Sequence, residues 1–172
     1  MIRVTENFRT IQNLLTQAAS DAGRCKEEIR LLAISKKQPV KSILQAASVG
    51  QRDFGENFVQ EGLKKMEDID RDDLIWHFTG HLQSNKTKFV AERFHWIHTV
   101  DRLKIAERLS QYRPYYANDL NVCIQVNIGE EITKGGVTAA EVPELAQAIC
   151  ELKGLRFRGL MCIPAIRHSF EE

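Results

Sequence analysis

A regular alternation of strand-like and helix-like segments constrains this 172-residue chain more than any other feature. Phe8, Ile11, Leu15 and Ala18 recur at helical spacing, and Gly23 can end that helix in a left-handed position. An apolar run over 29–35 then predicts a strand, and Pro39 opens a helix carrying Val40, Ile43, Leu44 and Ala47. The same two-part unit recurs as "RDFGEN" with Val59, Leu63 and Met66, then "LIWHFTG" with "SNKTKFVAERF", where Ser84 is a candidate N-cap. "HWIHTV" leads into "DRLKIAERLSQY", with Asp101 as its candidate cap. In "NVCIQVNI" the residues Val122, Ile124, Val126 and Ile128 share one face, and Cys123, Gln125 and Asn127 the other. Thr138 and Glu141 form a T-x-x-E capping box before a Val142, Leu145, Ala146, Ile149 stripe that stops at Gly154. "LRFRGLMCIP" is the last predicted strand.

Six strands, each but the last followed by a helix, imply an α/β protein with a parallel sheet, either open and doubly wound or closed as a barrel. No G-x-G-x-x-G turn and no G-x-x-x-x-G-K-S/T loop occurs, which disfavours the nucleotide-binding sheets. A full (β/α)8 barrel needs eight units and about 250 residues. The alternatives are therefore an open six-stranded sheet and a TIM-barrel-like fold lacking two of its eight βα units.

Composition narrows the function. Lys and Arg number 24 against 23 Asp and Glu, a balance that argues against a nucleic-acid or membrane-surface role. The charged start "MIRVTENFRT" has no apolar signal region, and no uncharged run approaches the roughly 18 residues of a membrane span. Cys25, Cys123, Cys150 and Cys162 are scattered without a C-x-x-C pair. With Cys123 and Cys162 inside apolar runs, they read as free, buried thiols in a reducing compartment. The expectation is one cytoplasmic domain over 1–172.

"LLAISKKQP" places two lysines where a strand ends, on the face where parallel barrels build their sites. Alternation puts Leu32, Ile34 and Lys36 on one side and Ala33, Ser35 and Lys37 on the other. Lys36 then faces a barrel mouth, where partial desolvation would favour the neutral amine that forms imines with aldehydes or ketones. Solvated strand-end charges are the plainer alternative. "FGEN" brings Glu56 and Asn57 to a second strand end, Asn57 also fitting a helix N-cap. His77 and His81 lie four apart but on a strand and its following turn, without an H-E-x-x-H glutamate, so no metal site is expected. His77 reads as a satisfied core histidine, His81 as a pocket candidate, and Lys134 of "TKGG" as a solvated loop lysine.

At these same residues the chain resembles the pyridoxal phosphate homeostasis proteins, relatives of the N-terminal barrel of alanine racemases. The resemblance rests on "LLAISKKQP", "FGENFVQE", "WHFTGHLQSNK", "VDRLKIAERL", "VNIGEEITKGGV" and "RGLMCIPA", in order and with compatible spacing. It implies a fold-type III barrel that binds pyridoxal 5′-phosphate (PLP) as an imine on Lys36, with Asn57, His81 and Met161 lining the cofactor site. It further implies a non-catalytic role in PLP homeostasis, PLP-requiring apoenzymes as partners and a monomeric state when the barrel is complete. Two C-terminal units that would grip the phosphate are implied to be missing. An amino-acid racemase and a Schiff-base aldolase are the rival readings. A racemase would need a proton-transfer group opposite the lysine, and Tyr112, Tyr115 and Tyr116 cluster away from every strand end.

Overall fold

The structure, a computed structural model, describes residues 4–129, 131 and 134–164. Helix α1 spans Val4–Asp21. Five βα units follow: β1 Ala33–Ile34 with α2 Val40–Ser48, β2 Asp53–Glu56 with α3 Val59–Ile69, β3 Ile75–Phe78 with α4 Thr87–Arg93, β4 Trp96–Val100 with α5 Leu103–Tyr112, and β5 Leu120–Gln125 with α6 Val142–Glu151. Strand β6, Leu155–Met161, completes the array. All pairings are parallel, and the spatial order of the strands is their order in the chain.

Successive helices touch one another, α2 with α3, α3 with α4, α4 with α5 and α5 with α6. All the crossovers therefore lie on one side of the sheet. A doubly wound sheet would divide them between two faces, so the arrangement is an arc of a barrel. Between sheet and helices the core is apolar: Phe54, Trp76, Phe78, Ile97, Val122 and Ile124 meet Ile43, Val90, Ile105, Leu109 and Ile149, all nearly or fully buried. Alternation along each strand sends the intervening residues to the inner face.

That inner face is polar where the outer one is apolar. His77 Nε2 lies 2.9 Å from Asp53 Oδ1, and His77 Nδ1 lies 2.8 Å from His98 Nε2. Trp96 stacks on both imidazoles, and the guanidinium groups of Arg30 and Arg158 lie over its ring. Burial pushes the His98 imidazole down from 6.5 to about 4, with the neighbouring His77 adding to the effect. The folded protein thus resists a proton that the unfolded chain accepts. This penalty is absent above about pH 6.5 and grows as the pH falls towards about 4. His98→Asn should flatten the loss of melting temperature between pH 7 and pH 5; an unchanged slope would exclude His98 as its source.

Local signals fare unevenly. The Thr138–Glu141 capping box forms, ahead of α6 with its first-turn proline. Gly23 and Gly154 are left-handed, as their helix ends require. The predicted 29–35 strand contributes only Ala33–Ile34 to the ladder, because β1 pairs on one side alone. Phe58 and Arg102, rather than Asn57 and Asp101, precede α3 and α5 as N-caps, without side-chain capping bonds. Ser84 sits inside a single 3-10 turn, and its carbonyl accepts from Thr87 Oγ1. Cys123 is buried as expected, whereas Cys162 is exposed because it follows the end of β6. Ile128, beyond the end of β5, is also exposed.

Candidate functional site

In a parallel sheet every strand ends at the same rim. Lys36 follows β1, Asn57 follows β2, His81 follows β3, and Met161 closes β6. One rim therefore carries all four residues expected from the sequence.

The Lys36 turn is set from both sides. Its inner-face parity is that of Leu32 and Ile34, which crowd against Gly55: a Cβ there would meet Ile34 Cδ1 at 2.7 Å. Ser35 points the other way, buried, and its hydroxyl donates to Glu56 Oε1 at 2.6 Å. Lys37 adopts φ +59°, a left-handed conformation that costs a non-glycine residue about 1–2 kcal/mol. Its N–H donates to Glu61 Oε1 at 2.5 Å. Lys36 is an exposed residue of this turn.

The buried carboxylate below this turn is matched by an ammonium that sequence reasoning passed over. Lys65 Nζ donates to Ser35 O at 2.7 Å, Glu56 Oε1 at 2.8 Å and Glu61 Oε1 at 2.7 Å. The hydrogen bond and charge of Lys65 hold the Glu61 carboxyl below its ordinary range, and the Lys37 N–H reinforces this. In the sequence Lys65 is one of two adjacent helix lysines; only its four-residue spacing from Glu61 hinted at a pair.

Asn57 and His81 line one cavity of about 330 Å³, together with Gln60, Phe78, Gln83 and Lys86. Thr79 Oγ1 donates to Asn57 Oδ1 at 2.9 Å, which uses the side chain that sequence reasoning gave to a cap. Gly80 packs directly on the Asn57 carbonyl, so that a Cβ at this position would overlap it. Gly80→Ala must move the Asn57 backbone, and overpacking of this kind costs about 1–3 kcal/mol. The expected result is a lower urea midpoint with an unchanged slope; a wild-type midpoint would show that the turn yields freely.

His81 is two-thirds exposed and stands 3.8 Å from Asp101 Oδ2. These two groups converge with Gln125 at Gly135, whose missing side chain leaves the space between them open. Lys134, expected to be free in solvent, instead reaches Glu131 Oε1 at 2.6 Å and the Ile163 carbonyl at 3.2 Å, at the β6 end of the rim. Met161 arrives there through a bulge. The β5–β6 register slips between Val122 and Cys123, and Gly159 has φ +141°. After the slip Met161 pairs with Gln125 and shares its inner face; without it, Leu160 would hold that place.

The rim thus carries the primary amine of Lys36 with Lys37 next to it, the Asn57 amide, the His81 imidazole and the Met161 thioether, while the charge of Lys134 is paired with Glu131. A primary amine in such a setting can form an imine with a small aldehyde or ketone. Among the described residues no cluster of His, Cys, Asp and Glu suits a metal ion, and no helix is long and apolar enough to cross a membrane.

The family described as alanine racemase, N-terminal domain, matches residues 3–171. The chain is 49% identical over 165 residues to a pyridoxal phosphate homeostasis protein of Escherichia coli (strain K12), covering 94% of this chain and 70% of that one. It is 46% identical over 164 residues to a protein of the same name from Pseudomonas aeruginosa, covering 95% and 71%. Among solved structures, PipY of Synechococcus elongatus PCC7942 with PLP bound has a TM-score of 0.75 at 34% identity, over 90% of this chain and 72% of that one. Alanine racemase of Corynebacterium glutamicum shares the fold at a TM-score of 0.64 and 15% identity, over 92% and 44%.

Proposed function

Because the chain belongs to the alanine racemase N-terminal domain family, and within it to the pyridoxal phosphate homeostasis proteins, we propose that it holds PLP covalently on Lys36 and serves PLP homeostasis without catalysing a reaction of its own. The observation that carries this is the position of the exposed residue Lys36 on the same rim as Asn57, His81 and Met161. When bound, PLP supplies an aldehyde carbon open to attack by a primary amine, and a pyridine ring that withdraws electrons.

The chain's own residues have separable tasks. Lys36 gives the amine, its direction fixed by the Ser35 and Lys37 backbone bonds. Asn57 and His81 stand at the β2 and β3 ends of the same rim and share one cavity with each other. Met161 offers an apolar, polarisable contact from the β6 end. Lys37 brings positive charge for a phosphate, an attraction that salt weakens.

Support for a carrier over a racemase comes from the tyrosines. Helix α5 returns from the rim, so Tyr112 at its end and Tyr115 and Tyr116 beyond it lie towards the opposite rim. Tyr112 packs on Arg108, and Tyr115 and Tyr116 are largely exposed. None is available as a proton-transfer partner for Lys36. An exposed rim also suits transfer of PLP to PLP-requiring apoenzymes in the cytoplasm, with 1–172 acting as one binding domain.

The test is to titrate the cofactor-free protein with PLP, reduce with borohydride and map the product. Visible absorbance with a single pyridoxyl group on Lys36, and no racemisation of alanine, is the expected result. Absence of any adduct would overturn cofactor binding, and racemisation of alanine would overturn the carrier role.

A further inference from the structure

We infer that Lys65, a buried ammonium on α3, is the positioning residue of the turn that carries Lys36: by holding Ser35 directly and Lys37 through Glu61, it determines which of two adjacent lysines is presented at the rim. The inference rests on Lys36 being the point of PLP attachment and adds the device that selects it.

The lysine pair poses a selection problem. Lys36 and Lys37 carry the same amine, are neighbours in sequence and lie in one exposed turn. Only backbone direction distinguishes them, so whatever fixes that direction fixes the chemistry. The backbone is tied immediately before and after Lys36. Ser35 N donates to Gly55 O at 2.8 Å, and Ser35 O accepts from Gln38 N and from Lys65 Nζ. Lys37 N donates to Glu61 Oε1, the oxygen that Lys65 also holds. Lys36 itself is left free to extend.

Burial makes the arrangement more than incidental. The Lys65 side chain is 8% exposed and that of Glu56 is fully buried. A buried ammonium is costly unless all its donors are used, and apolar side chains of similar length would pack there at less cost. All three Lys65 donors are used, on the ends of β1 and β2 and on α3. Two carboxylates share this one ammonium, and among the described residues Glu56 Oε2 has no hydrogen-bond partner. The Ser35 hydroxyl and the Lys37 N–H each donate to a side-chain oxygen that Lys65 also holds, and hydrogen bonds to charged partners are roughly twice as strong as neutral ones.

The left-handed φ of Lys37 is the part that depends on this hold. Lys37 is the third residue of the turn closed by Gln38 N–H on Ser35 O, and Lys65 holds both sides of it, through Ser35 O and through Glu61. Once these holds are lost, relaxation to an ordinary φ rotates the direction of Lys37 relative to Lys36. The signature of a lost positioning role is consequently a change in which lysine is labelled.

Wild type, Glu61→Ala, Glu61→Gln and Lys65→Met are each incubated with PLP, reduced with borohydride, digested and mapped, with a thermal melt of each in parallel. Wild type should carry the pyridoxyl group on Lys36 alone. Glu61→Gln keeps an acceptor oxygen for Lys37 N and should match wild type. Glu61→Ala and Lys65→Met should place part of the label on Lys37 and slow capture by about tenfold, the effect of one charged hydrogen bond. Glu61 is partly exposed, so if Lys65→Met fails to fold, Glu61→Ala decides the question. Labelling confined to Lys36 in the folded variants overturns the inference, whether capture is slowed or not, since reduced stability alone changes only the rate. Wild-type protein labelled elsewhere, or not at all, overturns the attachment site itself and this inference with it.

Discussion

Lys36→Ala is expected to abolish covalent capture of PLP, with no visible absorbance band and no borohydride-fixed mass increase, whereas Lys37→Ala retains both. The reaction needs an amine nitrogen held against the aldehyde carbon, so removing that nitrogen removes the bond rather than weakening it. Lys37 cannot replace it while its backbone stays left-handed and its N–H remains on Glu61. Lys37→Ala should instead reduce the salt dependence of PLP affinity, because one positive charge is lost from the turn that carries Lys36. Neither substitution touches the core, so melting temperatures should stay close to wild type. A band of unchanged intensity in Lys36→Ala would place the attachment on another amine.

Phe78→Ala is expected to cost about 3–5 kcal/mol of stability, the range for deleting a buried aromatic ring. Phe78 is 1% exposed and meets Phe94 edge-on, with ring centroids 5.6 Å apart. The ring also lines the cavity shared by Asn57 and His81. Its loss should thus lower the urea midpoint and weaken PLP binding together. A typical domain is stable by about 5–15 kcal/mol, so this one change removes a large fraction. A loss below about 1 kcal/mol would mean that α4 closes over the void, which the packing of Phe94 between β3 and α3 opposes.

Much of the architecture was legible because periodicity reports burial, and burial is periodic here. The order of the elements, the parallel sheet and the Thr138 capping box all follow from local spacing. The choice between an open sheet and a barrel does not, since it depends on which side each helix packs. Legibility also failed wherever a distant partner outbid a local one. Asn57 caps no helix because Thr79 occupies its oxygen, and Asp101 caps none while it pairs with Arg102 and faces His81. Met161 reaches the inner face only through a bulge at Gly159 that strict alternation cannot foresee. Lys65 was the largest omission. A helix lysine reads as solvated, and its burial follows only once β1 and β2 end beneath α3.

The match between strand order and chain order has a consequence for how the molecule comes into being. Ala33 pairs with Phe54, Phe54 with Trp76, His77 with Trp96, Trp96 with Asn121 and Leu120 with Leu155. Each strand thus finds its template in the segment synthesised just before it, with one helix between. A chain emerging from the ribosome can add each unit to an edge already formed, without waiting for residues still to be made. Loop closure then stays short at every step, and short closures are the fast ones. The Lys36 turn, braced by α3 through Lys65, should reach its final form as soon as the second βα unit has emerged.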